Sequence, residues 1–325
     1  MMLTRLLYPV KHVKQNIEFC IINNHKNELS YWLAEYYYSG FQYNCMDWLI
    51  QIYYTYYSQQ YPCFEKKLHN NVTIYNKEFK YEILIKLANN LRIKQSSTKY
   101  HEALQQPKRV NRGRKPYCLA LYEEPYKTMI FLYSKKDWNA FYQKLNSLSE
   151  NQLPQLYHSI CVYTNNNQPI EQDLIHYYTK ITEYYSRDSI VAMIFALALH
   201  LTDSSTTIIH KYGIWLPDKK TLSEYKETVK CEKPYQILKQ NLKYKNRQTI
   251  SKEQFVDILD NWLQYTFSTP IWRERIEAFN GYFDNNAIQF CNDDNLEAFH
   301  EQYGYELDEQ SNEIYNTLYS VTVTR

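Results

Sequence analysis

Glycine is the residue that the sequence lacks most clearly, with 5 in 325 residues where average usage would give roughly 23. The closest two, Gly281 and Gly304, are 23 residues apart. Phosphate-binding loops, dinucleotide-binding fingerprints and nucleophile elbows need paired glycines, because their backbone approaches a ligand or turns sharply. The chain therefore contains none of these motifs.

Paired cysteines are also absent. The 7 cysteines are scattered singly and are never closer than 18 residues, whereas disulfide frameworks and zinc ribbons need local pairs. This pattern is typical of reduced thiols in an intracellular protein. His101-Glu102 and His300-Glu301 lack the second histidine that a zincin motif requires. The sequence predicts neither a metal nor another cofactor.

Long apolar runs and a strong charge of one sign are missing as well. The longest apolar stretch, residues 190–201, is shorter than the roughly 20 residues that cross a bilayer, and the N-terminus has no signal-peptide pattern. Lys and Arg total 37 against 35 Asp and Glu, a balance that argues against a dedicated nucleic-acid coat. We expect a chain that is not secreted and has no membrane partner.

Aromatic residues are abundant, at 17% of the chain with 35 tyrosines, and helical periodicity dominates. Residues 28–38 and 49–57 each carry an amphipathic stripe, with Gly40 ending the first and Pro62 barring extension of the second. This predicts an N-terminal αα-hairpin. Since 35 tyrosines cannot all be buried, we also expect an adhesive aromatic surface.

The rest of the chain predicts a mainly α protein with multi-helix, bundle-like domains. One short β-hairpin is expected near residues 117–133, from alternating apolar residues. Residues 188–201 are apolar nearly all round, so this helix should be the central buried helix of the second part, with Asp188 as N-cap. Pro270 suits the first turn of a helix. The expected helices further along the chain are 78–94, 136–148, 168–185, 188–201, 221–230, 251–267, 270–279 and 294–303.

A basic segment divides the chain into an N-terminal helical part, residues 1–106, and a C-terminal mostly helical domain, residues 117–325. The segment, residues 107–116, contains a variant of the AT-hook core, in which arginines flanking a glycine enter the minor groove of A·T-rich DNA. A solvated linker is the simpler interpretation, and contact with nucleic acid is the alternative. The candidate contacts are Lys108, Arg109, Arg112, Arg114 and Lys115.

One pattern is similar to a metal-dependent nuclease site. Asp218 follows Pro217 and precedes Glu224 and Lys226, an order in which two acids hold a metal and a lysine helps to activate water. Residues 221–230 have a helical pattern, however, which would direct residues 224 and 226 to different sides. A solvated helix start is therefore favoured over catalysis.

Several longer stretches resemble a family of helical proteins of nucleocytoplasmic giant DNA viruses. They include residues 27–41 followed by 48–54, and the Lys-Pro-Tyr element that begins at residue 233. The most specific are residues 268–275 (Ser-Thr-Pro-Ile-Trp-Arg-Glu-Arg), paired with 296–299 and 303–311. Their order and spacing agree across most of the chain. The resemblance implies a viral source and the host cytoplasm, with its virus factory, as the compartment. It implies no reaction.

These observations predict a non-enzymatic viral structural or scaffolding protein whose partners are other viral proteins in the virion or the factory. Trp272, Arg273 and Arg275 are the candidate interface residues, because tryptophan and arginine are common anchors of protein interfaces. The alternative is a factor in viral transcription, replication or packaging that binds DNA or RNA through the basic segment.

Overall fold

The structure is a computed structural model, and it describes residues 2–106, 119, 122–164, 185–202, 209, 213–216, 252–285 and 287–303. Within these ranges the chain is mainly helical, as predicted, with one two-stranded antiparallel sheet.

The described residues form thirteen α-helices and two strands, together with short 3₁₀ turns at Pro62–Phe64 and Glu150–Gln152. In chain order they are α1 (Val10–Ile22), α2 (Lys26–Tyr38), α3 (Gln42–Tyr56), α4 (Glu65–Glu78), α5 (Tyr81–Arg92), α6 (Lys99–Gln105), α7 (Tyr126–Ser134), α8 (Trp138–Ser147), α9 (Leu153–Thr164), α10 (Arg187–Thr202), α11 (Lys252–Phe267), α12 (Pro270–Ala278), β1 (Gly281–Asp284), β2 (Ala287–Phe290) and α13 (Asp293–Tyr303).

Two compact units alternate along the chain. Unit 1 comprises Met1–Cys45, Phe79–Ile93 and Ile214–Arg325, and unit 2 comprises Met46–Glu78 and Lys94–Gly213. The predicted division at residues 107–116 concerns a segment outside the described residues, and it stays a prediction.

The first helical layer of unit 1 is formed by α1, α2 and α5, which pack against one another. Val13, Ile17 and Cys20 of α1 are completely buried, and their spacing of three and four residues places them on one face of the helix. On α2, Trp32 is completely buried and Tyr8 packs edge-on against its ring, with 5.0 Å between the ring centroids. The two amphipathic helices predicted at residues 28–38 and 49–57 are confirmed as α2 and α3, and α3 begins earlier, at Gln42.

The N-terminal segment of unit 1 joins its first and last elements. Leu3 belongs to the buried cluster that Trp262, Trp272, Ile276 and Phe299 form. The indole Nε1 of Trp272 donates a hydrogen bond of 3.0 Å to the carbonyl oxygen of Thr4. Residues 3–9 are therefore part of the core of unit 1.

Gly40 and Pro270 meet inside unit 1. Gly40 has a φ of +92°, the left-handed conformation predicted for the residue after a helix. A Cβ atom at this position would lie 2.5 Å from Cβ of Pro270. Pro270 begins α12 as predicted. The turn after α2 and the start of α12 thus pack directly against each other.

Unit 2 is built around α10, which packs against α8 and α9. Ten of its residues are buried, which confirms the predicted central buried helix, and Phe195 is completely buried against Tyr100 with 4.8 Å between the ring centroids. The predicted N-cap, Asp188, is wrong: it lies in the first turn, and Ser186 accepts a hydrogen bond of 3.3 Å from the backbone N–H of Ser189.

Asp47 of α3 holds the start of α10 in place. Its Oδ1 accepts hydrogen bonds from the backbone N–H of Ser186 at 3.3 Å and from the Ser186 hydroxyl at 2.7 Å. The hydroxyl of Ser189 also donates to this carboxylate. A carboxylate at this position compensates the N-terminal N–H groups and the positive end of the helix dipole.

The β-hairpin predicted near residues 117–133 is wrong where the structure describes it, because Tyr126–Ser134 forms α7. Met129, Phe131 and Tyr133 alternate in the sequence, which suggested a strand. Ile130 between them is also completely buried, so the apolar residues cover most of a helix surface instead of one strand face. The hairpin of this fold lies at residues 281–290 instead.

The predicted helix over residues 78–94 is shorter than expected. Phe79 has a φ of +47°, which ends α4 at Glu78 and lets α5 begin at Tyr81. The sequence patterns did not predict α1, α4, α6 or α9. The predicted helices at 168–185 and 221–230 lie outside the described residues. The other five are confirmed as α8, α10, α11, α12 and α13, within about two residues at each end.

Candidate protein interface

The β-hairpin of unit 1 presents two large aromatic side chains to solvent. Strands β1 and β2 pair with Gly281 opposite Phe290 and Phe283 opposite Ile288. Tyr282 is 46% exposed and Phe283 is 47% exposed. Adjacent exposed aromatics on one element differ from the scattered single apolar residues that every protein surface carries.

The turn and one glycine explain how this sequence makes a hairpin. Asn285, in the two-residue connection between the strands, has a φ of +47°, as tight hairpin turns require. A Cβ atom on Gly281 would lie 2.6 Å from Cγ2 of Ile276 and 2.9 Å from Cε1 of Phe290. Glycine therefore lets β1 pack closely against α12 while the Phe290 ring covers it.

Alternation along the strands separates the two faces of the hairpin. Ile288 and Phe290 face the buried cluster of unit 1. Tyr282 lies on the opposite face, where its hydroxyl donates to Oε1 of Gln289 at 3.3 Å. Phe283 shares the inner face but extends beyond the core, so half of its surface stays in solvent.

The ring of Phe283 contacts a second aromatic residue, Phe267, which in turn contacts Arg273. The Phe283 ring stacks on Phe267 with a centroid distance of 5.3 Å and an interplanar angle of 19°. The guanidinium carbon of exposed Arg273 lies 5.4 Å from the Phe267 ring centroid, and its Nε donates to the Phe267 carbonyl oxygen at 3.4 Å. We call the exposed side of the hairpin, with Phe283, Phe267 and Arg273 on one face and Tyr282 on the other, the hairpin surface.

The three residues predicted as interface anchors have different environments. Arg273 is exposed on the hairpin surface, whereas Trp272 is completely buried in unit 1. The guanidinium carbon of Arg275 lies 4.6 Å from the ring centroid of Trp272 and 4.6 Å from that of Tyr303. The structure thus gives Trp272 a role in the core, and the interface prediction for the two arginines stays a prediction.

The other candidate site residues from the sequence lie outside the described residues. These are the basic residues Lys108, Arg109, Arg112, Arg114 and Lys115, and the nuclease-like set Asp218, Glu224 and Lys226.

Sequence reasoning missed the hairpin surface because both strands are only four residues long. The one available signal was the pair Asn285-Asn286 between two short aromatic stretches, since asparagine tolerates the left-handed backbone of hairpin turns.

Burial makes two of the described cysteines poor nucleophiles. It raises the pKa of Cys45 well above its usual value and raises the pKa of Cys161 to about 11. A thiol with a pKa this high is protonated at neutral pH, and the thiolate is the reactive form. Cys45 and Cys161 therefore act as small apolar core residues.

Two hydrogen-bonded pairs of polar side chains lie inside unit 2. The Tyr185 hydroxyl lies 2.6 Å from Nδ1 of His69, and the Tyr54 hydroxyl donates to Oε1 of Glu65 at 2.8 Å. Burial, reinforced by the charge of Glu65, raises the pKa of both tyrosines well above the usual value. Both tyrosines remain neutral at physiological pH, and their hydroxyls supply hydrogen bonds to His69 and Glu65 in the interior of unit 2.

Lys94 is a buried lysine of unit 2 whose charged form is poorly solvated. Its Nζ lies 4.3 Å from the Phe64 ring centroid, and only 7% of the residue is exposed. Burial, and secondarily the charge of Lys67, lowers the pKa of Lys94 to about 8. Burial of the ammonium group disfavours its charged form.

We expect Lys94→Met to stabilise the protein at pH 7 by about 1–2 kcal/mol, a value reduced for solvent screening. Between pH 8 and 10.5 the unfolded lysine binds a proton that the folded one has lost, so parental stability rises with pH through this window. The advantage of Lys94→Met should accordingly shrink over the same window. Thermal unfolding of the parent and of Lys94→Met from pH 7 to 10.5 measures this stability difference, and Lys66→Met, on an exposed lysine, is the control. A stability difference between parent and Lys94→Met that stays constant with pH would contradict the lowered pKa of Lys94.

Two further properties concern the described part of the chain. Within it, no group of three or more His, Cys, Asp or Glu residues is placed to hold a metal ion. None of its helices combines the length and the hydropathy that spanning a membrane requires.

No known protein family, curated protein or solved structure matches this chain.

Proposed function

We propose that this chain is a non-enzymatic structural or scaffolding protein of a nucleocytoplasmic giant DNA virus, acting through protein contacts in the virion or the cytoplasmic virus factory. The observation that carries the proposal is the hairpin surface, on which stacked Phe283 and Phe267 lie beside Arg273 while Tyr282 extends from the opposite face. The viral source and the compartment rest on the sequence resemblance.

The chemistry of this surface is that of a protein interface. Phe, Tyr and Arg are enriched at protein interfaces. The aromatic rings supply large contact areas at a small loss of conformational entropy, and the planar guanidinium group supplies hydrogen bonds and stacks on aromatic rings. The aromatic residues extend from a sheet that is fixed to the core by Phe290 and Ile288. A rigid support lowers the entropic cost of association.

The test compares a tagged parent chain with a Tyr282→Ser/Phe283→Ser variant, each captured from infected cells with and without nuclease. We expect capsid or core proteins to accompany the parent regardless of nuclease, and the double variant to recover them at least about tenfold less, as loss of a binding hot spot does. Quantitative mass spectrometry measures the ratio.

The matched control is Tyr43→Ser, because Tyr43 is 72% exposed and lies outside the hairpin surface. Its partner recovery should equal that of the parent. Equal recovery of capsid and core proteins by the hairpin variant would contradict the proposed role of the surface.

The alternative proposal, a nucleic-acid-associated factor in viral transcription, replication or packaging, rests on the basic segment of the sequence. It requires that Arg112→Ala/Arg114→Ala weaken binding to A·T-rich DNA and lower the slope of log affinity against log salt by about 2, one for each lost phosphate contact. Fluorescence anisotropy at several salt concentrations measures this. If parent and variant bind with the same affinity and slope, the alternative is excluded.

A further inference from the structure

The elements that carry the hairpin surface are strongly acidic, although the chain as a whole is nearly neutral. Residues 270–303 contain 7 Asp and Glu against 2 Arg and no Lys, a net charge of −5, whereas the whole chain has a net charge of +2. A segment that followed the composition of the chain would be close to neutral. Negative charge is therefore concentrated on α12, the hairpin and α13.

The carboxylates of this segment all lie at the surface. They are Glu274, Glu277, Asp284, Asp293, Asp294, Glu297 and Glu301. None of the first six takes part in an ion pair within the described part of the chain. Like charges on neighbouring elements repel one another, so an approaching group of positive charge gains attraction and also relieves this repulsion.

Two of the carboxylates lie beside the aromatic and arginine side chains. Asp284 is on the same face of β1 as Tyr282, because residues two apart in a strand share a face. Glu277 is one turn after Arg273 on α12, so both lie on one side of the helix. Strand β1 packs against α12. The rim of the hairpin surface is therefore negative, while its centre is aromatic.

Charge decides which kind of partner this surface fits. Exposed aromatic residues beside an arginine also occur where proteins bind single-stranded nucleic acid, but those grooves are positively charged. A segment with a net charge of −5 repels phosphates and anionic lipid headgroups. It attracts lysine and arginine, and guanidinium groups also stack on aromatic rings, as Arg273 does at 5.4 Å from the Phe267 ring centroid.

Building on the proposed function, on which this inference rests, we infer that the hairpin surface binds a lysine- and arginine-rich segment of a capsid or core protein. The aromatic rings form the centre of the contact and supply most of the affinity, as hot spots do. The carboxylates at the rim attract the basic segment and exclude acidic competitors, because complementary charge speeds association and selects the partner.

Carbodiimide cross-linking of the parent chain in extracts of infected cells tests the charge of the partner segment. The reagent activates a carboxylate, and a lysine amine then displaces the activating group as a urea and forms an amide. We expect links from Glu277 or Asp284 to lysines of a capsid or core protein, within a segment that mass spectrometry shows to have a net positive charge.

Three cross-linking results would overturn the inference. The first is a set of links to partner segments without net positive charge, and the second is no link from either Glu277 or Asp284. The third is a dominant link to Lys108 or Lys115, because the basic segment of this chain would then be the occupant in place of a partner protein.

The variant Glu277→Gln/Asp284→Asn removes two charges and keeps the aromatic rings. In about 50 mM salt we expect it to recover capsid or core proteins about threefold to tenfold less than the parent. The difference should shrink in about 300 mM salt, because salt screens exposed charges. The matched control, Glu123→Gln/Glu150→Gln, removes two exposed charges from unit 2 and should recover these proteins as the parent does.

The same captures separate failure of this inference from failure of the proposed function. Loss of capsid and core proteins from Tyr282→Ser/Phe283→Ser, but not from Glu277→Gln/Asp284→Asn in low salt, would leave the interface standing and overturn the basic partner segment. Full recovery by both variants would contradict the proposed function itself. The cross-linking experiment uses the parent chain, so it does not depend on the folding of either variant.

Discussion

Removing either partner of the buried ion pair between Arg5 and Glu35 should lower the free energy of unfolding by about 3–5 kcal/mol. Nε of Arg5 lies 3.0 Å from Oε2 of Glu35, and the two side chains are 5% and 1% exposed. The second carboxylate oxygen accepts a hydrogen bond of 3.0 Å from the backbone N–H of Leu6. The pair therefore fastens the N-terminal segment to α2.

The physical reason is that each single substitution leaves an uncompensated charge inside the protein. Arg5→Met leaves the Glu35 carboxylate without its cation, and Glu35→Gln leaves the guanidinium without its anion. The guanidinium also contacts the Tyr38 ring, whose centroid lies 5.3 Å from its central carbon. Such a contact contributes about 1–2 kcal/mol when desolvated, which is less than the loss expected from the missing anion.

Urea unfolding of both single variants and of Arg5→Met/Glu35→Gln measures the coupling. We expect the double variant to lose about 1–3 kcal/mol less than the sum of the single losses, because the second substitution removes the charge that the first one stranded. Arg273→Met, on the exposed arginine of the same unit, should change stability by less than about 0.5 kcal/mol. Strictly additive losses would show that the two charges do not interact.

Replacement of Gly40 by alanine should destabilise the protein by about 2–5 kcal/mol. The left-handed backbone at φ +92° costs an L-residue about 1–2 kcal/mol. The added Cβ would also lie 2.5 Å from Cβ of Pro270, and relief of such overpacking costs typically about 1–3 kcal/mol. The loss should appear as a lower midpoint in thermal unfolding.

Asn280→Ala separates the two contributions. Asn280 is exposed and has a φ of +56°, so this substitution imposes the left-handed backbone cost without a comparable clash. We expect it to lose about 1 kcal/mol. If Gly40→Ala lowers the free energy of unfolding by no more than Asn280→Ala does, the contact with Pro270 is not the reason that position 40 requires glycine.

Hydrophobic periodicity and helix-start signals in the sequence predicted the long helices and their ends, because neighbouring residues determine these features. The α10 sequence is apolar on every side, which only a central helix satisfies, and Pro270 can begin α12 because the first turn needs no N–H donor there. The sequence did not predict the short strands, because a four-residue strand such as β1 contains too few apolar–polar alternations to be recognised. The strand prediction near residues 117–133 was wrong for a related reason. Alternating residues such as Tyr133 are compatible with either a strand or a helix.

The interactions that fix the fold join residues far apart in the sequence. Asp47 and Ser186 are separated by 139 positions, and Thr4 and Trp272 by 268. No periodicity of a single sequence contains such a pairing. The hairpin surface likewise needs Phe267 from α11 beside Phe283 from β1, which only the packed unit shows.

Photo-cross-linking from the hairpin surface tests the central claim most directly. A photoreactive amino acid replaces Tyr282 in one tagged chain and Tyr43 in another, and both chains are irradiated in infected cells. We expect position 282 to give a discrete covalent adduct with a capsid or core protein, and position 43, although 72% exposed, to give none above background. Equal adduct patterns at the two positions, or no capsid or core adduct at position 282, would contradict the account.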